Sequence, residues 1–421
     1  MKALAVLAAA ASWSAPQTVS APHTFAGPLF ASTGASGTAL AAWGWQDGIG
    51  QSAPLGSSLV TAGAAGVSSE RRGPPGLMAA QAYGNGRAVL LANRQVDKRG
   101  QRWRLTVKDG AATTHLATAF ILFRPQLSVA PDGSAIVAWV ELHNHRQIVR
   151  VSTRNGHGRF SRPATISGRG QTTVLTAAAA GGRSFVAAFV RNGRLLARVR
   201  SARGWSPIHP LQRAQGKTHW QLFASRDGQG GLALVWIRHR FTAPGRPGVR
   251  ELFAAGHARR WSSIQRLERD GAVGPSLTFA PALTLTYAEG PSAGATARLR
   301  HLTGTGRFGP ALDAAPPQGG LRSVSAASAP GQGTVVGWVI PTPAGDGGGI
   351  GYAAATNPSG NDFGPREQVT PDEATFDMRL VRAAAGVRAF WTARPDGTGP
   401  GIPLDQIRTV VRTATRLPPG P

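Results

Sequence analysis

The chain has 421 residues, with 46 Lys+Arg against 20 Asp+Glu and a formal net charge of +26. Its 42% of hydrophobic residues can build a large core, and the absence of Cys excludes disulfide frameworks, Cys-ligated zinc and thiol catalysis. No apolar run reaches the ~18–20 residues of a membrane span, and the basic residues (42 of the 46 are Arg) are spread along the chain rather than clustered, which argues against a nucleic-acid interface.

Met1-Lys2 lead into an apolar run, Ala3 to Ala11, and Ala9-Ala10-Ala11 offers a small-residue cleavage site before Ser12. Residues 1–11 are expected to be a secretory signal, whole or shortened by a misassigned start, with a lead-in β-strand as the alternative. Residues 12–421 then form the mature domain. Trp13-Ser14-Ala15-Pro16 follows at once and matches a marker that recurs further on.

From there one pattern repeats: a turn rich in Gly, Asp or Asn, then a short apolar strand ending in an aromatic. In chain order the copies are TALAAW ending at Trp43, RAVLLA at Ala92, Ala135 to Trp139, SFVAAF at Phe189, GLALVW at Trp236, ALTLTY at Tyr287, TVVGW at Trp338 and VRAFW at Trp391. The end points are spaced by 49, 47, 50, 47, 51, 51 and 53 residues. A second marker, an aromatic followed by Ser or Gly and usually Pro, closes several copies: Phe160-Ser161, Trp205-Ser206, Trp261-Ser262, Phe308-Gly309 and Phe363-Gly364. Between the two lies a further strand such as IVRVSTR or LLARVRS, with a period of two.

Each repeat holds about four short strands, the signature of a propeller blade. The 55 Gly and 31 Pro suit its many hairpins. The expected fold is all-β: one closed β-propeller with eight four-stranded blades as the first reading and seven as the second. The last copy, which ends at Ile407 to Arg416, lacks its aromatic-Ser marker, and that marker stands at Trp13-Ser14. The ring is therefore expected to close through an N-terminal strand. Asp47, Asp109, Asp132, Asp227, Asp270 and Asp396, each followed by Gly, read as turn formers.

The copy Ala130-Pro131-Asp132-Gly133 running to Trp139 resembles TolB-like propeller repeats. The whole unit resembles repeats of exported sialidase-like propeller proteins of GC-rich Gram-positive bacteria. The resemblance covers nearly the whole chain and is one of strands and turns. The sialidase Asp-box is not matched, because Asp132 and Gly133 are adjacent and Trp139 lies too far on. No catalytic motif is matched.

Resemblance to sialidases implies a Tyr nucleophile with a Glu partner, and Tyr287-Glu289 is the one local pair to name. Tyr287 also holds the repeated aromatic position, which is a packing role. The position two after the aromatic holds Trp45, Glu141, Arg191, Arg238 and Glu289. A ring of these at strand ends could bind a sugar, a peptide or a zwitterion, or it could be a set of paired charges. Trp45, Trp103 and Trp220 fall outside the repeat positions and are candidate stacking surfaces. His143, Asn144 and His145 read as a polar hairpin rather than a metal site, since no third ligand is identifiable. Pro341 to Gly349 reads as a flexible loop without the Lys-Ser/Thr of a phosphate loop. No metal and no cofactor are expected.

The reading is an exported, monomeric binding or scaffold propeller for a carbohydrate or other anionic cell-envelope ligand. A sialidase-like glycoside hydrolase is one alternative, and an intracellular protein-interaction propeller is the other. Fold alone does not choose among them.

Overall fold

The computed structural model describes residues 12–417, apart from 49–54, 98, 100, 121, 144–145, 215, 227–230, 242–247, 281, 291–293, 304–305, 317–318, 331, 343–347, 357–361, 385 and 396–407. Residues 1–11, expected as a signal or strand, lie outside the described residues, as do Asn144, His145, Asp227, Asp396 and most of the Pro341–Gly349 loop.

Every regular element among the described residues is a β-strand, and the sheets are antiparallel meanders. In the third sheet, Leu122–Val129 pairs with Ala135–His143, then Arg146–Arg154, then Ala164–Thr165. Its first hairpin turns on Asp132: Ser134 N donates to Oδ1 at 2.9 Å, and Gly133 takes a φ of +82° that favours glycine. Asp132 also accepts from Gly182 N, in the next sheet, at 2.7 Å. Burial alone would raise this carboxyl, but the Gly182 and Ser134 donors hold it below the usual carboxylate range.

Six sheets of four or five strands stand apart as blades, rather than the eight, or seven, expected from the repeat count. The strands of the last two repeats are one continuous eight-stranded sheet, joined where Gly349 pairs with Thr375. Glycine is required at 349 by its own hairpin, because a Cβ there would meet Ile340 O at 2.2 Å. The innermost strands touch in chain order: Phe25–Thr33, Leu77–Tyr83, Leu122–Val129, Thr172–Gly181, Thr218–Arg226, Val273–Ala280, Arg322–Ser328 and Ala374–Ala383. The last of them returns to the first. The sheets therefore surround a central axis.

The repeat aromatics are the core. Trp43, Trp139, Phe189, Trp236, Tyr287, Trp338 and Trp391 are all fully buried, packed between neighbouring sheets with Ala, Val and Leu. Truncating one of these Trp residues to Ala should cost about 3–5 kcal/mol.

The marker serine extends the ladder at the outer edge. Ser161 N donates to Thr153 O, and Ser161 Oγ accepts from Thr153 N. Ser206 does the same with Val199, and Ser262 with Gly256. Ser14 repeats the arrangement on Thr415, at 2.8 and 3.0 Å. Gln17–Thr18 then pairs with Val410–Arg416. The N-terminal segment is the outer strand of the last sheet, where the marker placed it.

Candidate functional site

The innermost strands carry a repeated irregularity near their starts. Register shifts occur at Ala26/Leu29, Leu77/Ala79, Phe123/Gln126, Thr172/Val174, Val273/Ser276, Arg322/Ser325 and Thr375/Asp377. A bulge re-aims the side chains around it. Three of the bulges carry an X-Pro pair: Gly27-Pro28, Arg124-Pro125 and Gly274-Pro275. Gly274 takes a φ of +58° without cost, whereas Arg124 is held at +54°. Ser323, in another bulge, is held at +50°. A side chain in this region costs about 1–2 kcal/mol, and such strain clusters at functional sites.

Both strained bulge residues bear on the axis; a third, Asn192 at +49°, lies in a hairpin turn. A cavity of about 700 Å³ runs along it, within the usual size of a ligand site. Arg124, Gln126, Gln221 and Arg379 give it polar lining, and Phe30 and Phe223 give it aromatic surface. Among its described lining residues none is a carboxylate. Ser323 Oγ donates to Asp377 Oδ1 at 2.9 Å, and Asp377 in turn holds Arg379 at 3.2 Å. The strands of Arg124 and Ser323 stand on opposite sides of the ring.

Other polar groups along the axis are already committed. Gln81 donates to Leu127 O and accepts from Val129 N at 2.6 Å. Ser32, Ser128 and Ser325 accept from Ala82, Ala179 and Leu380 N of the next innermost strand. These bonds satisfy the backbone edge that each sheet turns toward the axis. Arg124 is exposed and has no ion-pair partner among the described residues.

A side pocket of about 380 Å³ shares Trp220 and Gln221 with this cavity and adds His219, His239 and Arg250. Burial, with Arg250 and His219 nearby, holds the His239 imidazole below its ordinary value. Trp220 is buried between the two spaces. Trp103 is half-buried against the core of the second sheet.

The five residues expected as a ring sit on the second strand of their sheets, outside the innermost strands. Glu141 lies 3.5 Å from Arg150 of its own sheet. Arg238 is buried and donates to Glu251 at 2.7 and 3.0 Å. Glu289 pairs with Arg298, which also holds Asp313. Trp45 donates to Ser58 Oγ at 3.1 Å and is covered by His23. Arg191 packs along Gly168 and Gly170 and has no carboxylate partner among the described residues. Tyr287 is fully buried, bonded to Glu268 rather than Glu289, and accepts from Arg300 at 2.8 Å. Burial and then Glu268 push its phenol well above the ordinary value. A sealed, fully protonated phenol has no path to a substrate.

Of the expected turn residues, Asp270 caps its turn through Gly271 N. Asp109 does more: it pairs with the buried Arg154 at 2.5 Å and accepts from Tyr83 at 2.8 Å, tying the second sheet to the third.

No protein-family model matches the chain, and no curated protein matches it in sequence. Solved structures resemble it in fold. An ulvan lyase of a polysaccharide lyase family aligns at 8% identity and a TM-score of 0.53, covering 89% of this chain and 92% of its own. A Hadza microbial sialidase aligns at 10% and 0.43, covering 94% and 66%. The β-propeller domain of a protease from Pyrococcus furiosus aligns at 8% and 0.45, covering 83% and 98%. At such identities the likeness to the lyase is one of fold: the chain is an all-β propeller.

Proposed function

We propose that the chain is a binding propeller that takes an anionic carbohydrate in its axial cavity. The observation that carries this reading is Arg124, an exposed cation kept at +54° in a bulge whose counterpart is Gly274. Glycine would relieve the strain, so the strain supports a use for the guanidinium. Its planar fork suits a carboxylate or a sulfate. Arg379 adds a second cation, and Phe30 and Phe223 offer apolar surface to a sugar ring. Arg191 is the member of the expected ring that remains available to an extended ligand. Placement outside the cytoplasm belongs to the same reading, rests on the apolar run Ala3 to Ala11, and is checked by whether the processed chain starts at Ser12.

Isothermal titration with neutral, uronate-bearing and sulfated oligosaccharides tests the proposal. The acidic sugars should bind and the neutral ones should not, with salt weakening the affinity. Arg124→Gly and Arg379→Ala should each lower it roughly tenfold. Equal affinity in both variants, or no binding of any acidic sugar, overturns the reading.

A further inference from the structure

A second cleft lies between the first and second sheets, away from the axis, with a volume of about 410 Å³. Arg71, Arg72, Arg87 and Lys108 line it, and its described lining includes no carboxylate. Arg71-Arg72 is an outermost strand of the first sheet. Arg87 opens a strand of the second sheet, and Lys108 lies near the end of the next. Arg87 and Lys108 thus lie at the end of the ring where the innermost strands finish, whereas Arg124 lies where they start.

The register orders each wall. Leu59 is the direct cross-strand neighbour of Arg71, and Leu90 that of Lys108. Cross-strand neighbours share a face, so each wall pairs an aliphatic side chain with a cation. Leu59 and Leu90 are both buried in one apolar cluster between the sheets, which forms the floor. Two acids flank the cleft: Asp109, 3.8 Å from Arg87, is already held by Arg154 and Tyr83, and Glu70, beside Arg71 in the chain, accepts from Ala21 N at 2.7 Å and lies 4.0 Å from His23. Among the described residues no ion pair engages Arg71, Arg72 or Lys108.

Four cations around one concave space concentrate positive potential there. They stand on strands, so their backbone positions are fixed before a ligand arrives. No aromatic lies in the described lining, which leaves no platform for stacking nucleobases. We propose that this cleft is a second anion site, separate from the axial cavity, that takes a sulfated or carboxylated oligosaccharide through Arg71, Arg72, Arg87 and Lys108.

The test titrates the full chain with a heparin-type sulfated hexasaccharide and counts equivalents bound. The double variant Arg71→Ala/Arg72→Ala should lose one equivalent, with affinity there falling roughly tenfold or more. Arg71→Lys/Arg72→Lys should retain it, since charge is kept. Arg124→Gly should leave this equivalent untouched. Failure of the axial reading alone would leave a single equivalent that the Arg71/Arg72 double alanine variant removes. The proposal is overturned if that variant binds as the wild type does, or if single-stranded DNA of equal charge binds as tightly as the hexasaccharide.

Discussion

His23 lies flat on Trp45, with ring centroids 4.6 Å apart and the planes parallel. The stack joins the N-terminal segment to the first sheet. His23 Nδ1 is 2.9 Å from Asp47 Oδ1, and its backbone exchanges two hydrogen bonds with Thr409. Gly56 packs against the same indole, where a Cβ would come within 2.1 Å. His23→Ala removes a ring stack and a hydrogen bond, with an expected loss of about 1–2.5 kcal/mol in chemical denaturation. Gly56→Ala should cost at least as much, because it dislodges Trp45. Unchanged unfolding midpoints in both variants would show that the stack contributes nothing to closure.

Arg124 separates backbone strain from side-chain function. Arg124→Gly relieves the left-handed conformation, whereas Arg124→Ala keeps the strain and loses the charge. The Gly variant should be more stable than the Ala variant by about 1 kcal/mol, while both lose ligand affinity. Thermal melts of the pair decide it. An Ala variant as stable as the Gly variant would mean that the loop relaxes and the strain carries no information.

Tyr287 makes stability fall in alkali. Its phenol ionises near 10.0 in the unfolded chain and is held higher in the folded one. The folded state therefore keeps its proton while the unfolded state loses it. Stability from this group is fully present below pH 10 and is lost as the pH rises above that. Tyr287→Phe should flatten the decline relative to wild type in denaturation between about pH 9.5 and 11. Parallel curves for the two proteins would remove Tyr287 as the cause.

Glu251 is buried and serves three cations: Arg238 at 2.7 Å, Arg240 at 3.0 Å and Arg266 at 3.7 Å. Glu251→Ala would strand the buried Arg238 guanidinium over Phe253 and should cost about 3–5 kcal/mol. A loss under about 1 kcal/mol in the urea midpoint would show that the cluster reorganises or hydrates.

The sequence pattern reached the propeller because blade packing is local and repetitive. Each aromatic from Trp43 to Trp391 fills an equivalent space, and Ser14 carries the same ladder chemistry as Ser161, Ser206 and Ser262. The blade count was not legible. Spacings of 51 and 53 residues do not reveal whether two sheets stay apart, and the join rests on one pairing, Gly349 with Thr375. The site was only partly legible. Residues two after each aromatic do share a strand end, but their partners, Arg150, Glu251 and Arg298, are set by cross-strand register. Arg124 carried no signal of its own, since a positive φ at a non-glycine residue is imposed by the bulge rather than written in the Arg-Pro pair.

Ser14 and Thr415 are separated by 401 positions in the chain. Synthesis at ~5–20 residues per second places roughly 20–80 s between the appearance of one and that of its partner. The sheets between them can form as they emerge, each from its own hairpins, but the ring cannot close until the last strand is made. Throughout that interval the first segment carries strand edges with nothing to pair with. Closure is thus a late, single event in the life of each molecule, made by the hydrogen bonds of Ser14, Gln17–Thr18 and His23 to the segment from Thr409 to Thr415.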